Sequence, residues 1–325
     1  MPTPRHNEPA ACELIPVGSP GAGPYALTTG PDGALWVTLV HSGQIAQVHL
    51  DGDIVLHDLG APDCRPSQIA VGVDGALWFT RMGDDRIGRI TTDGQASSIP
   101  VTTGSSPYGI TSGPDGALWY TALSGDRIGR LTVDGQLTET PVPLAGGMPS
   151  VITVGPDEAL WFTINQANAV GHLRPGGQMS TYELPSPNSG PVGIHGAATG
   201  CWFTEILTSQ VGHIDPDGQI TEFSLSDPAA RPHAVLPDDT GTGCWVTEWG
   251  LNRLAHVTSM GEVHELDLLA DSEPHGIAQG PDGALWIALE DGHLQRVAIS
   301  EAPAARGEAS PPPGRRRRRG MGGLC

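Results

Sequence analysis

The stretch that decides the fold is GITSGPDGALWYTALSGDRIGRLTVDGQLTETPV, residues 109–142. It holds four short runs of β-forming residues, GITSG, ALWYTAL, IGRLTV and QLTETPV, separated by Gly, Pro and Asp. The P-D-G and D-G pairs predict hairpin turns, where Gly supplies the positive φ that the turn requires. The stretch is also one copy of a repeat. Trp36, Trp78, Trp119, Trp161, Trp202, Trp245 and Trp286 follow one another at intervals of 41 to 43 residues, and only Trp249 stands outside this register. Clear copies of the motif are GPDGALWVT (30–38), GVDGALWFT (72–80), GPDEALWFT (155–163) and GPDGALWIA (280–288). ATGCWFT (198–204) and GTGCWVT (241–247) are degenerate copies. Four strands in about 40 residues is the period of a β-propeller blade. Seven units therefore predict an all-β protein, a seven-bladed propeller around a central channel. A solenoid would need a helix or a shorter period, and neither is present.

The ends of the array predict how the ring closes. The last unit stops after its third strand, HLQRVAI (293–299), and the chain begins with ELIPV (13–17), which resembles fourth strands such as TETPV (138–142). The N-terminal strand is expected to complete the seventh blade, which leaves few unpaired edges. The propeller then occupies 13–300, and the Pro-, Gly- and Arg-rich segment 301–325 is expected to be a disordered tail.

Composition narrows the function classes. The formal net charge is −19, and all 17 basic residues are Arg, five of them in the run 315–319. The propeller is thus more acidic than the whole chain, which argues against nucleic acid as a partner and suits a cation such as Mg²⁺. The five cysteines lack close CxxC spacing, so they give neither a zinc signature nor a disulfide framework. Cys201 and Cys244 precede repeat tryptophans and read as small core residues. No apolar run is long enough to span a membrane as a helix. The opening MPTPRHNEPAACELIP lacks the basic and apolar regions of a signal peptide, so a cytoplasmic protein is expected.

Strand alternation places the P-D-G turns and the third-to-fourth D-G turns on one face of the disc. The opposite face receives the start of each first strand and each second-to-third link, and its variable positions are candidates for function. The residue after the leading Pro of each blade is Tyr25, Ser67, Tyr108, Ser150, Val192, His233 or His275. Three residues after each repeat Trp stand Leu39, Arg81, Ala122, Ile164, Glu205, Glu248 and Leu289, with Glu290 one further on. Glu273, His275 and Glu290 thereby converge on blade seven, with His233 and Glu248 on its neighbour. Two carboxylates suit a hard cation such as Mg²⁺, and a neighbouring His suits a base near neutral pH. The plainer reading is that the histidines bond loop carbonyls and the glutamates are solvated. Whether Glu248 and Tyr108 join the cluster is left open.

The array GPDGALWFT…IGRI…DG, together with RPH (231–233) and EPHG (273–276), resembles the virginiamycin B lyase, or streptogramin lyase, family over roughly residues 13–300. The resemblance implies a monomeric seven-bladed propeller that confers resistance by linearising cyclic streptogramin B depsipeptides. The ester is broken by Mg²⁺-dependent elimination, without added water. Carried over by matching position, His275 would be the general base, Glu273 and Glu290 the metal ligands, and His233 a substrate contact. Tyr25, on the same rim, would offer an aromatic surface. The expected partner is a small cyclic depsipeptide, with neither nucleic acid nor membrane. The chemistry suits the residues: a cation polarises a carbonyl, a base removes the threonine Cα proton, and no G-x-S-x-G elbow or rim Cys nucleophile is present. Two other readings remain. One is a non-catalytic binding propeller; the other is a metal-dependent propeller lactonase or hydrolase.

Overall fold

Seven four-stranded antiparallel sheets, six of them with their strands in sequential order, make up residues 13–299, which are the residues described in the computed structural model. The first strands of neighbouring blades meet one another round a closed ring, blade seven against blade one included. They enclose a central channel of about 490 Å³. The seventh sheet is completed by Glu13–Pro16, which pairs antiparallel with His293–Val297 as the sequence predicts. The segment 301–325, Cys12 and Cys325 lie outside the described residues.

The repeat motif is explained by what each of its residues touches. Every repeat Trp fills the seam to the following blade, so the seven apolar clusters are seven seams, as when Trp286 packs with Leu27, Leu35 and Val37. The first Gly of G-P-D-G lies against that ring: a Cβ on Gly280 would sit 2.4 Å from the Trp286 indole. The last Gly, Gly283, turns the chain at φ 77. The Asp satisfies the indole. In blade two, Asp74 Oδ1 accepts the Trp78 Nε1–H at 3.0 Å and Oδ2 accepts the Arg89 Nε–H at 2.7 Å. Asp32, Asp115, Asp157 and Asp282 bond their own tryptophans alike. The degenerate ATG turn has no Asp, and the buried Trp202 Nε1 has no partner. Cys201 and Cys244, which replace Leu before the Trp, are fully buried.

On the other face, every first strand opens with a β-bulge. The register slips between Pro274 and Ile277 in blade seven, and between the equivalent residues of the other six. Bulges re-aim side chains next to active sites. Here each holds the residue after the leading Pro, which stands at the mouth of the channel.

The Asp–indole bond should carry measurable stability. Asp74→Ala leaves the Trp78 N–H buried without an acceptor, a cost of about 1–3 kcal/mol. For a chain of this size that lowers Tm by roughly 2–10 °C. A melting curve unchanged from wild type would show that the turn, and not this bond, holds the indole.

Candidate active site

The rim residues are pinned from the neighbouring blade. The Thr of the L-W-F-T motif is buried and accepts a backbone N–H of its own blade while donating to a carbonyl of the next. Thr247 accepts from Ala234 N at 3.0 Å and donates to His275 O at 2.8 Å. Thr204 likewise donates to His233 O at 2.9 Å. A second clamp comes from Asn252 in the second-to-third link of blade six, whose Oδ1 accepts Ser272 N at 3.0 Å and Glu273 N at 2.9 Å. Backbone bonds that cross a seam thus fix where His233 and His275 emerge.

Five aromatic rings then gather at the channel mouth. His233 and His275 meet edge to face with centroids 4.7 Å apart, and Tyr25 lies 4.6 Å from His275. The Tyr25 hydroxyl is 2.6 Å from the Tyr108 hydroxyl and 3.4 Å from His233 Nε2. Trp249 stands 6.4 Å from His275, and the Arg231 guanidinium lies over the Trp249 ring, 5.5 Å from its centroid. His275 is buried, and its Nε2 lies 2.5 Å from Glu290 Oε2. The second Glu290 oxygen, Oε1, is 2.8 Å from His41 Nε2 of blade one.

Charge is distributed unevenly across this cluster. The hydrogen bond from His275, supplemented by that from His41, holds the Glu290 carboxyl down to about 2, so it is ionised at any working pH. An ionised carboxylate only accepts. The proton of His275 therefore sits on Nε2, and its Nδ1, which is buried without a partner, is left as the basic nitrogen. Burial, and then the neighbouring His275, push His233 down to about 3, so His233 is a neutral imidazole. Burial also raises the Tyr25 and Tyr108 hydroxyls, which stay protonated donors.

The structure thus joins His275, Glu290, His233 and Tyr25, and adds Tyr108 through Tyr25. Glu273 stands apart from that network. Its side chain is exposed, and its backbone is left-handed at φ 49. Its carbonyl accepts the Glu290 N–H at 3.4 Å, so the two carboxylates stem from adjoining strand ends. One ionised and one exposed carboxylate offer hard oxygen donors of the kind that suit a hydrated Mg²⁺. Among the described residues no group of three or more His, Cys, Asp or Glu side chains is placed to hold a metal, so further ligands would be water or substrate oxygens.

Glu248 does not join the cluster. It is fully buried inside blade six with neither oxygen bonded, as is Glu205 in blade five apart from a 3.4 Å contact with Thr208. Burial, and then the adjacent Glu265 or Glu222, push both carboxyls up to about 7. His41 and Trp249 were not among the residues the sequence singled out for the site. Trp249 carried a signal, as the tryptophan outside the repeat register. His41 carried a fainter one, a His where other blades have residues such as Gly83, Ser124 and Gln166.

Comparison with known proteins bears on this geometry. A model described as the virginiamycin B lyase family matches residues 10–297. A curated virginiamycin B lyase of Saccharopolyspora erythraea is 56% identical over 43 residues, which are 13% of this chain and 14% of that protein. Over the whole fold, the solved virginiamycin B lyase of Staphylococcus aureus superposes with a TM-score of 0.85 at 37% identity, covering 89% of this chain and 99% of that one. A catalytically inactive His-to-Ala variant of virginiamycin B lyase from Staphylococcus aureus, solved with quinupristin, superposes with a TM-score of 0.84 at 36% identity, covering 89% and 99%.

Two outcomes follow from the site. Thr247→Val should cost about 1–3 kcal/mol and, by releasing the His275 backbone, up to about 10²-fold in turnover. Thr163→Val removes the matching 2.6 Å bond to Val192 O and should cost similar stability with turnover retained. Equal losses of turnover in the two variants would remove the clamp from the account. The second outcome concerns the buried glutamates. Their folded-state pKa lies above the unfolded value, so between about pH 4.5 and 7 the unfolded chain has lost a proton that the folded chain keeps. Stability from this source therefore falls as pH rises through that window. Glu248→Gln should raise Tm at pH 8 and leave it near wild type at pH 4; the same shift at both would show that the carboxyl is not held protonated.

Proposed function

This chain belongs to the virginiamycin B lyase family, and on that premise we propose that it opens cyclic depsipeptides of the streptogramin B class by β-elimination at the threonine ester. The observation that carries the reading is the His275–Glu290 pair. It supplies a base with its proton placed and its other nitrogen uncommitted, beside rim groups that lack a nucleophile. Ser67 and Ser150 donate their hydroxyls to Arg65 O and Met148 O, away from any base. The described cysteines are buried, and burial raises their thiols, that of Cys64 to about 11. The relative's inactive His-to-Ala variant, solved with quinupristin, agrees with a histidine at the centre of the chemistry.

In this mechanism His275 takes the threonine Cα proton. The released electron pair forms the Cα–Cβ double bond, the Cβ–O bond breaks, and the ester oxygen leaves on a carboxylate. A carboxylate is a stable leaving group, so no acid need protonate it. The imidazolium that forms lies against the Glu290 carboxylate and later yields its proton to water. Neutral His233 and the Tyr25 hydroxyl would donate to a substrate carbonyl as negative charge grows on it. Trp249 and Tyr25 offer apolar faces to the depsipeptide ring. Mg²⁺, held by Glu273 and Glu290, would supply a Lewis acid to that carbonyl. Opening the ring this way would inactivate a streptogramin B, which is the resistance role we assign.

The test is incubation with quinupristin followed by product mass. Elimination gives a linear product of unchanged mass, chelation stops turnover, and His275→Ala slows it by about 10²–10⁴-fold with the fold retained. A product heavier by one water would overturn elimination in favour of hydrolysis.

A further inference from the structure

We propose that His41 is a positioning residue for this reaction, holding the Glu290 carboxylate from across the blade seam so that Glu290 in turn holds the His275 imidazole; the inference rests on the lyase reading above. A glutamate reaches its partner through three rotatable bonds, and one hydrogen bond leaves the carboxylate plane free to turn. Glu290 is not buried, with 28% of its side chain exposed, so water competes for it. A donor on each oxygen fixes the plane, and His41 Nε2 at 2.8 Å on Oε1 is the counterpart of His275 Nε2 on Oε2.

His41 is held in place although its side chain is 48% exposed. Its backbone N–H donates to Ala22 O at 3.0 Å, and the Val40 N–H donates to Gly23 O at 2.9 Å. Its ring rests on Gly23, where a Cβ would come within 2.4 Å of the His41 Cδ2. Gly23 is left-handed at φ 70, but that alone does not demand glycine. The residue before the leading Pro is left-handed in every blade, and Arg65, Ser106, Met148, Arg231 and Glu273 adopt it with side chains. The glycine at 23 makes room for the His41 ring.

The seam between blades seven and one also needs such a tie. Elsewhere a Thr hydroxyl crosses to the next blade, as Thr247 does to His275 O. Blade seven carries Ala288 in that place, and Gly292 ends the link where blade six has Asn252. Neither can bond to blade one through a side chain. The His41–Glu290 bond joins the two blades at the same rim, on the residue that orients the base.

The experiment uses the full chain, with His41→Ala and with His41→Gln, whose amide nitrogen reaches about as far as an imidazole Nε2. Turnover of quinupristin is measured beside the hydrogen-bonded Nε2–H signal of His275 in ¹⁵N-histidine-labelled, metal-free protein, assigned by its loss in His275→Ala. His41→Ala should lower kcat about 10–100-fold with KM little changed, and the signal should weaken through exchange with water. His41→Gln should restore both. An unchanged kcat and signal in His41→Ala would overturn the proposal, as would a Gln variant no better than Ala. If wild type leaves quinupristin intact, the lyase reading fails by itself, and the His275 signal alone still decides whether His41 holds the pair.

Discussion

The site depends on a hydroxyl that belongs to two blades at once. Each bridging Thr sits at the end of the Trp-centred strand, takes an N–H from its own first strand and gives its proton to the rim carbonyl of the next blade. The apolar packing of the seams resists separation more than sliding, so polar bonds across them, this hydroxyl and the Asn252 clamp among them, fix the height of one blade against another. The shared hydroxyl is directional and buried, so a slip of one blade would leave a donor and an acceptor unpaired. With His233 and His275 carried on consecutive bulges and both carbonyls pinned, their rings meet at 4.7 Å.

On that frame the protein separates charged from neutral groups within a few ångströms. Glu290 stays ionised because two imidazoles donate to it, and His233 stays neutral because it is buried beside His275. The same cluster therefore offers one base with a fixed proton and several neutral donors. That combination suits removal of a carbon-bound proton with charge growing on a carbonyl. It is a poor arrangement for nucleophilic hydrolysis, since the rim hydroxyls of Ser67 and Ser150 are turned into their own backbone.

The architecture was legible because each letter of the repeat has its own contact. Gly lies on the indole, Asp bonds it, Trp fills the seam, and Thr crosses it. Most copies keep all of these contacts, so the period is visible in the sequence, and ring closure by residues 13–16 followed from a missing strand. The rim histidines were legible from departures within the repeat. What was hidden was which rim groups pair. That Glu290 binds His275 and His41 depends on abutment across a seam and on side-chain rotation, and neither leaves a periodic trace. Glu248, left open by the sequence, stays out of the cluster for a readable reason: its position is apolar in most other blades, as Leu39, Ile164 and Leu289, and lies inside the sheet packing, whereas Glu290, one residue beyond the matching Leu289, reaches the rim.

In the proposed elimination the threonine Cα hydrogen leaves for His275. That transfer is tested most directly with a streptogramin B carrying deuterium at that carbon. Elimination gives a linear product that has lost the deuterium to solvent, at a rate slowed by the label. A ring-opened product that retains the deuterium would contradict it.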